Sequence, residues 1–237
     1  MGSTGKLILG VVLVFGTVGH VQATVSIFTP ALRANGTAGQ LACRVTNTDT
    51  SGQFVTLNVR NGFSGSVVAT DDFALGAGET AELLRSTGGY AYCEAIANTA
   101  TIADKLLLSV NVRDGSDMPT GSLPGIRVVT GSGTVVRTPS METTSGETSC
   151  HIVNVGASSR TVTWTLLDDA GDTVGSLNIS IGSMQGVRAE AGDFGPMRCE
   201  VAAASNGEAK DLRVSMFEDS EDTSVSSKSP LAGALRP

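Results

Sequence analysis

An internal repeat anchored on the four cysteines narrows what this chain can fold into more than any other feature. Cys43-Arg44-Val45-Thr46-Asn47 is matched by Cys150-His151-Ile152-Val153-Asn154, and Cys93-Glu94-Ala95 by Cys199-Glu200-Val201, at an offset of about 106 residues. Between these anchors Val55, Thr56, Leu57 and Val59 align without a gap on Val162, Thr163, Trp164 and Leu166, and Leu75-Gly76 falls on Ile181-Gly182. Past the second cysteine of each pair, Leu106, Leu108 and Val110 fall on Leu212, Val214 and Met216. Phe28-Thr29-Pro30 leads into the first copy as Arg137-Thr138-Pro139 leads into the second. Two copies are too few for a solenoid, whose units depend on their neighbours. Each copy therefore reads as a self-contained domain, residues 24-114 and 126-219. The stretch 115-125, rich in Gly and Pro, reads as a linker, and the Ser-rich, aperiodic stretch 220-237 as a disordered tail.

Within a copy the apolar residues alternate, as Val55, Leu57 and Val59 do against Thr56, Asn58 and Arg60, which is the period of a strand with one face in a core. Turn signals at Asn61-Gly62, Ala77-Gly78, Gly88-Gly89 and Asp169-Ala170-Gly171 cut these runs into short strands. Six or seven such strands per copy predict a two-sheet β-sandwich, the arrangement that covers both apolar faces. With aromatic residues at only 4%, the cores must be aliphatic and thin. A duplicated fold repeats its own cross-link, so the expected disulfides are Cys43 with Cys93 and Cys150 with Cys199, one within each domain. Each closes a loop of about 50 residues and contributes about 4 kcal/mol on the chain-entropy view.

Residues 1-23 have the order of a secretory leader: Lys6, the apolar stretch Leu7 to Val18, then Val21-Gln22-Ala23. Cleavage near Ala23 would start the mature chain near Thr24 and leave it with no transmembrane segment; retention of the leader as an anchor is the alternative. Export to an oxidising compartment, secreted or periplasmic, suits an even number of cysteines without a Cys-x-x-Cys pair. The net charge of −7 argues against a nucleic-acid binder, which needs a basic surface to replace counterions on phosphate. Asn35-Gly36-Thr37 and Asn178-Ile179-Ser180 match the glycosylation sequon, whose use depends on the host.

Cys150, Trp164 and Cys199 resemble the immunoglobulin pattern, in which a Trp packs on a disulfide that joins two sheets. The resemblance implies an all-β chain of two tandem immunoglobulin-like β-sandwich domains. It describes architecture rather than membership of the family. The Tyr expected two residues before the second cysteine is replaced by Ala91 and Met197, and the first copy has Leu57 where the second has Trp164.

Side chains able to carry chemistry are few. His151 is the single histidine after the leader, and its match to Arg44 places it on a solvent-facing strand position rather than in a catalytic pair. Asp71-Asp72, Asp168-Asp169 and Asp172 read as turn residues, and Glu94 and Glu200 as outward strand positions, with neither a glycosidase pair nor a calcium loop among them. No metal, cofactor or catalytic residue is therefore expected. Trp164 aligns with a core Leu and is expected in the core. Tyr90 and Tyr92 share one strand face and have no counterpart in the second copy, which makes them the candidate binding patch. The function expected is that of a non-enzymatic exported protein, a structural or protein-binding component of the cell envelope or extracellular space, whose partner is a protein or cell-surface polymer. A carbohydrate-binding module is the alternative, and a hydrolase of unfamiliar type the third reading.

Overall fold

The computed structural model describes residues 24–34, 40–86, 89–113, 119–124, 134–143, 147–192, 195–219, 231–232 and 234–235. The leader, the sequon at Asn35, and parts of the expected linker and tail lie outside the described residues. The described chain is all-β, and every strand pairing in it is antiparallel.

The first half runs β1 (Val25–Phe28), β2 (Leu32–Ala34), β3 (Gln40–Asn47), β4 (Gln53–Asn61), β5 (Val67–Leu75), β6 (Thr80–Ser86), β7 (Gly89–Ala97), the helical turn α1 (Ala100–Ala103), β8 (Leu106–Arg113) and β9 (Pro119–Pro124). One sheet has the order β1-β7-β4-β5, with β2 also on β7, and the other the order β6-β3-β8-β9. Leu41, Cys43 and Val45 of β3 and Leu108 and Val110 of β8 are buried in one cluster with Val55, Leu57 and Val59 of β4 and Ala91, Cys93 and Ala95 of β7. The predicted alternation is thus the alternation of core and outer face.

The second half repeats this plan with β10 (Val135–Arg137), β11 (Met141–Thr143), β12 (Glu147–Asn154), β13 (Arg160–Leu167), β14 (Thr173–Ile181), β15 (Gly186–Gly192), β16 (Gly195–Ala203), α2 (Asn206–Lys210), β17 (Leu212–Asp219), β18 (Leu231–Ala232) and β19 (Ala234–Leu235). Its sheets are β14-β13-β16-β10-β19, with β11 on β16, and β15-β12-β17-β18. Trp164, 3% exposed, sits in the core with Cys150 and Cys199, in the place of Leu57.

Both expected disulfides form, and each ties one sheet of a half to the other: Cys43 on β3 to Cys93 on β7 (Cα–Cα 5.7 Å) and Cys150 on β12 to Cys199 on β16 (6.3 Å). Two polar devices recur with them. Thr29 accepts at Oγ1 from the Cys93 N–H at 2.9 Å, as Thr138 does from the Cys199 N–H at 2.9 Å. Buried Asn47 donates through Nδ2 to the carbonyls of Ser51, Leu75 and Gly76, and buried Asn154 does the same to Ser158, Ile181 and Gly182. A single amide, sharing one of its two N–H groups with the more distant Leu75 or Ile181 carbonyl, thus gathers three carbonyls where two turns meet, which is why the Asn is repeated.

The strand layout departs from expectation in four places. In the immunoglobulin arrangement the first strand lies beside the first-cysteine strand and the last beside the second-cysteine strand. Here they are exchanged: β1 pairs with β7 and β8 with β3. The last strand of each half reaches the other sheet through a helical turn, α1 or α2, that stands in place of a hairpin. Each is capped from its own sequence, Thr99 Oγ1 accepting from Ile102 N–H at 3.2 Å and Ser205 Oγ from Glu208 N–H at 3.3 Å. Residues 119–124, read as linker, form β9 on the edge of a sheet, where proline is tolerated. Leu231–Ala232 and Ala234–Leu235, read as tail, pair with β17 and β10; such short apolar segments carry no period to detect. Asp71 and Asp72, read as turn residues, are exposed on β5.

Replacing Cys43 and Cys93 together by Ala is expected to lower stability by about 4 kcal/mol, as is the equivalent change at Cys150 and Cys199. Urea midpoints of the two double variants against the parent protein check this.

Candidate functional site

Inward positions on β7 are Ala91, Cys93, Ala95 and Ala97, so Tyr90 and Tyr92 lie on the outward face, as their spacing predicts. That face is not open to solvent. Tyr90 is 4% exposed and Tyr92 0%, because the second half packs over them. The expected surface patch is instead one side of a seam between the halves.

The other side of the seam is the outward face of β12 and β17. His151 of β12, expected at the surface, is fully buried and stacks on Tyr90 with ring centroids 4.4 Å apart and planes at 15°. Phe63, from the turn after β4, meets both rings edge-on at 5.4 and 5.2 Å, and Phe217 of β17 meets Tyr90 edge-on at 5.5 Å. The Arg33 guanidinium lies 5.9 Å from the Tyr90 centroid. Beside this cluster Phe28, Ala31, Tyr92 and Val153 form a second buried group, with Val155 and Met184 against it. Polar contacts fix the register: Tyr92 Oη donates to the Met184 carbonyl at 2.9 Å, Ser215 Oγ to the Ala31 carbonyl at 2.9 Å, and the Gly186 N–H to the Phe63 carbonyl at 3.1 Å.

The seam also explains two backbone oddities. Met184 has φ 59°, a left-handed conformation that side chains adopt at a cost, and Gly78, with φ 74°, holds the matching position in the first half. A Met replaces the permissive Gly where its carbonyl and side chain both enter the seam. Gly65 approaches so closely that a Cβ there would run into the Met184 carbonyl.

The electrostatics follow from burial. Neither ring nitrogen of His151 has a hydrogen-bond partner, and desolvation, aided by the charge of Arg188, holds its pKa down to about 3. His151 is thus a neutral aromatic plate, not a base. Burial likewise pushes the Tyr92 phenol up, and lowers Arg213 to about 10, where it stays charged with Nη1 on the carbonyls of Lys210 and Leu212.

The carboxylates are scattered. Glu94, expected to face outward into water, is 4% exposed, held by Arg60 Nε at 2.7 Å and Asn58 Nδ2 at 2.9 Å. Glu200, only partly exposed, pairs with Arg137 Nε at 2.6 Å. Asp168 and Asp172 close the β13–β14 turn, the Asp172 N–H donating to Asp168 Oδ1 at 2.7 Å. Among the described residues no three His, Cys, Asp or Glu side chains converge as a metal site would require. An open groove runs along one end of the seam, lined by Phe28, Arg60 and Glu94 from the first half and Val155, Ser183 and Met184 from the second.

Phe63, Phe217 and Met184 were not singled out from the sequence, and Phe28 only as part of the lead-in to the first copy, although the repeat marks most of this site. At seam positions the copies disagree: Tyr92 against Arg198, Phe28 against Arg137, and, in the other direction, Arg44 against His151, Thr46 against Val153 and Asn111 against Phe217. The copy that enters the seam carries the apolar or aromatic residue. No family model matches this chain, and no curated protein matches it either.

Two outcomes are expected. Between pH 6.5 and about 3 the unfolded chain takes a proton on His151 that the folded chain refuses, so this residue removes up to about 5 kcal/mol of stability as pH falls through that window. Chemical denaturation across the window should show the parent protein losing that much more stability than His151→Phe, whose ring keeps the stack without titrating. Gly65→Ala should force the seam apart at Met184, visible as faster amide exchange around Gly186 while the two cores stay protected.

Proposed function

We propose that this chain is an exported, non-enzymatic protein made of two tandem immunoglobulin-like sandwich domains with their outer strands exchanged, working in the periplasm or extracellular space as a rigid structural or protein-binding component. The observation that carries the reading is the pair of intersheet disulfides, which persist in an oxidising compartment and suit thin aliphatic cores. The apolar stretch before residue 24 supports export as a leader cleaved near Ala23. No helix among the described residues is long and apolar enough to cross a membrane.

The seam supports a mechanical role. It aligns the halves through aromatic stacking and backbone hydrogen bonds, so that they act as one body whose outer strands and faces meet partners. Carbohydrate stacking, the alternative expectation, rested on Tyr90 and Tyr92, and both rings are spent on the seam.

Fractionation of the native host with mass-spectrometric mapping tests this reading. The expected result is a chain outside the cytoplasm, starting near Thr24, with cystines 43–93 and 150–199. Free thiols, a cytoplasmic location or bonds between the halves would refute it. Crosslinking in the intact host should then recover a protein or envelope polymer attached to the outer strands.

A further inference from the structure

β5 and β14 are matching edge strands, each nine residues long and each paired on one side only among the described residues, β5 with β4 and β14 with β13. An open edge is a template for another strand, and proteins block it with charge, above all with charges on the inward side. β5 is blocked in this way. Asp71 pairs in register with core residue Leu57, so it stands on the inward side, and Asp72 stands beside it on the outer side with its carboxylate on Thr56 Oγ1 at 2.6 Å. Both are exposed.

β14 has lost both charges. Leu177 takes the place of Asp71, in register with core Trp164 and so on the inward side, yet it is 58% exposed. Asn178 takes the place of Asp72 and keeps the contact, accepting from Thr163 Oγ1 at 2.8 Å. From Thr173 to Ile181 the strand has no charged residue and no proline. Its register on β13 is regular from Gly175 to Ile181, with the irregularity confined to the far end.

We propose that β14 is a self-association edge, pairing antiparallel with β14 of a second copy about a two-fold axis at Asn178. In that register Leu177 lies opposite Ile179 of the second copy and Ser176 opposite its Ser180, so apolar meets apolar on the inward side and hydroxyl meets hydroxyl outside. The same operation on β5 would set Asp72 against itself with an Asp71 on either side. Like charges opposed in this way are destabilising, so the first half is excluded and the choice of edge is specific. The contact is isologous and closes at two copies. One strand pair covers little area, so the dimer is weak and depends on concentration. This inference rests on strand register and charge alone and is independent of where the protein works.

Sedimentation analysis of the purified, disulfide-bonded chain across a concentration series tests it. The parent protein should pass from monomer to dimer mass, and the double variant Leu177→Asp, Asn178→Asp, which installs the residues of the first half, should remain monomeric at every concentration. Hydrogen exchange supplies a readout that needs no variant: protection of Gly175–Ile181 in the parent should rise with concentration while β5 stays unchanged. A parent protein that is monomeric throughout, a dimer that survives the two aspartates in a folded variant, an open-ended ladder of species, or protection of β14 that does not vary with concentration would each overturn the proposal.

Discussion

Everything else in the molecule presupposes the cystine that ties sheet to sheet in each half. With so few aromatic side chains, the facing sheets are held by Val, Leu, Ala and Ile, which bury modest area apiece. A covalent tie between Cys43 and Cys93, and another between Cys150 and Cys199, fixes the spacing at which those small side chains interdigitate. The polar devices next to the ties serve the same end. Thr29 and Thr138 lock the entering strand onto the cysteine backbone, and Asn47 and Asn154 gather loose carbonyls where turns meet.

Given two stiff units, their relation is set by the seam, which has the composition of neither core. Apart from Trp164, the sandwich interiors are built of aliphatic side chains, methionine and cystine, whereas the seam concentrates Phe63, Tyr90, Tyr92, His151 and Phe217. Aromatic plates contribute large contact at low entropy cost, and their hydroxyl and neighbouring backbone groups supply directional bonds. A buried imidazole without a hydrogen bond is tolerable only because it is neutral, so the seam carries an acid sensitivity that the cores lack.

What the sequence disclosed and what it hid divide along the same line. Alternation, turn residues and repetition report on local geometry and on the shared core, so the strands, the all-β class and both disulfides were legible. Repetition misleads where the copies occupy different surroundings. His151 was placed in water because Arg44 is there, yet the face that is outer in the first half is covered in the second. Glu94 was likewise judged by strand parity alone, which says nothing of the Arg60 and Asn58 side chains that hold it on the outer face. The exchanged outer strands escaped notice because one helical turn is too short for a periodic signal, although Ser205 followed by Glu208 spells a capping box.

The halves meet through unlike faces, the outer side of β7 in one against the outer side of β12 and β17 in the other. A head-to-tail joint of this kind has no internal reason to stop, and would in principle add a third unit at either end to build a filament. The terminal faces answer that risk by their composition. The free counterpart of the His151 face presents Arg44 paired with Glu82, and the free counterpart of the Tyr92 face presents Arg137, Arg198 and Glu200. Divergence of the two copies thus sets charged pairs where the seam has rings and aliphatic side chains, which disfavours a further unit stacking on either face.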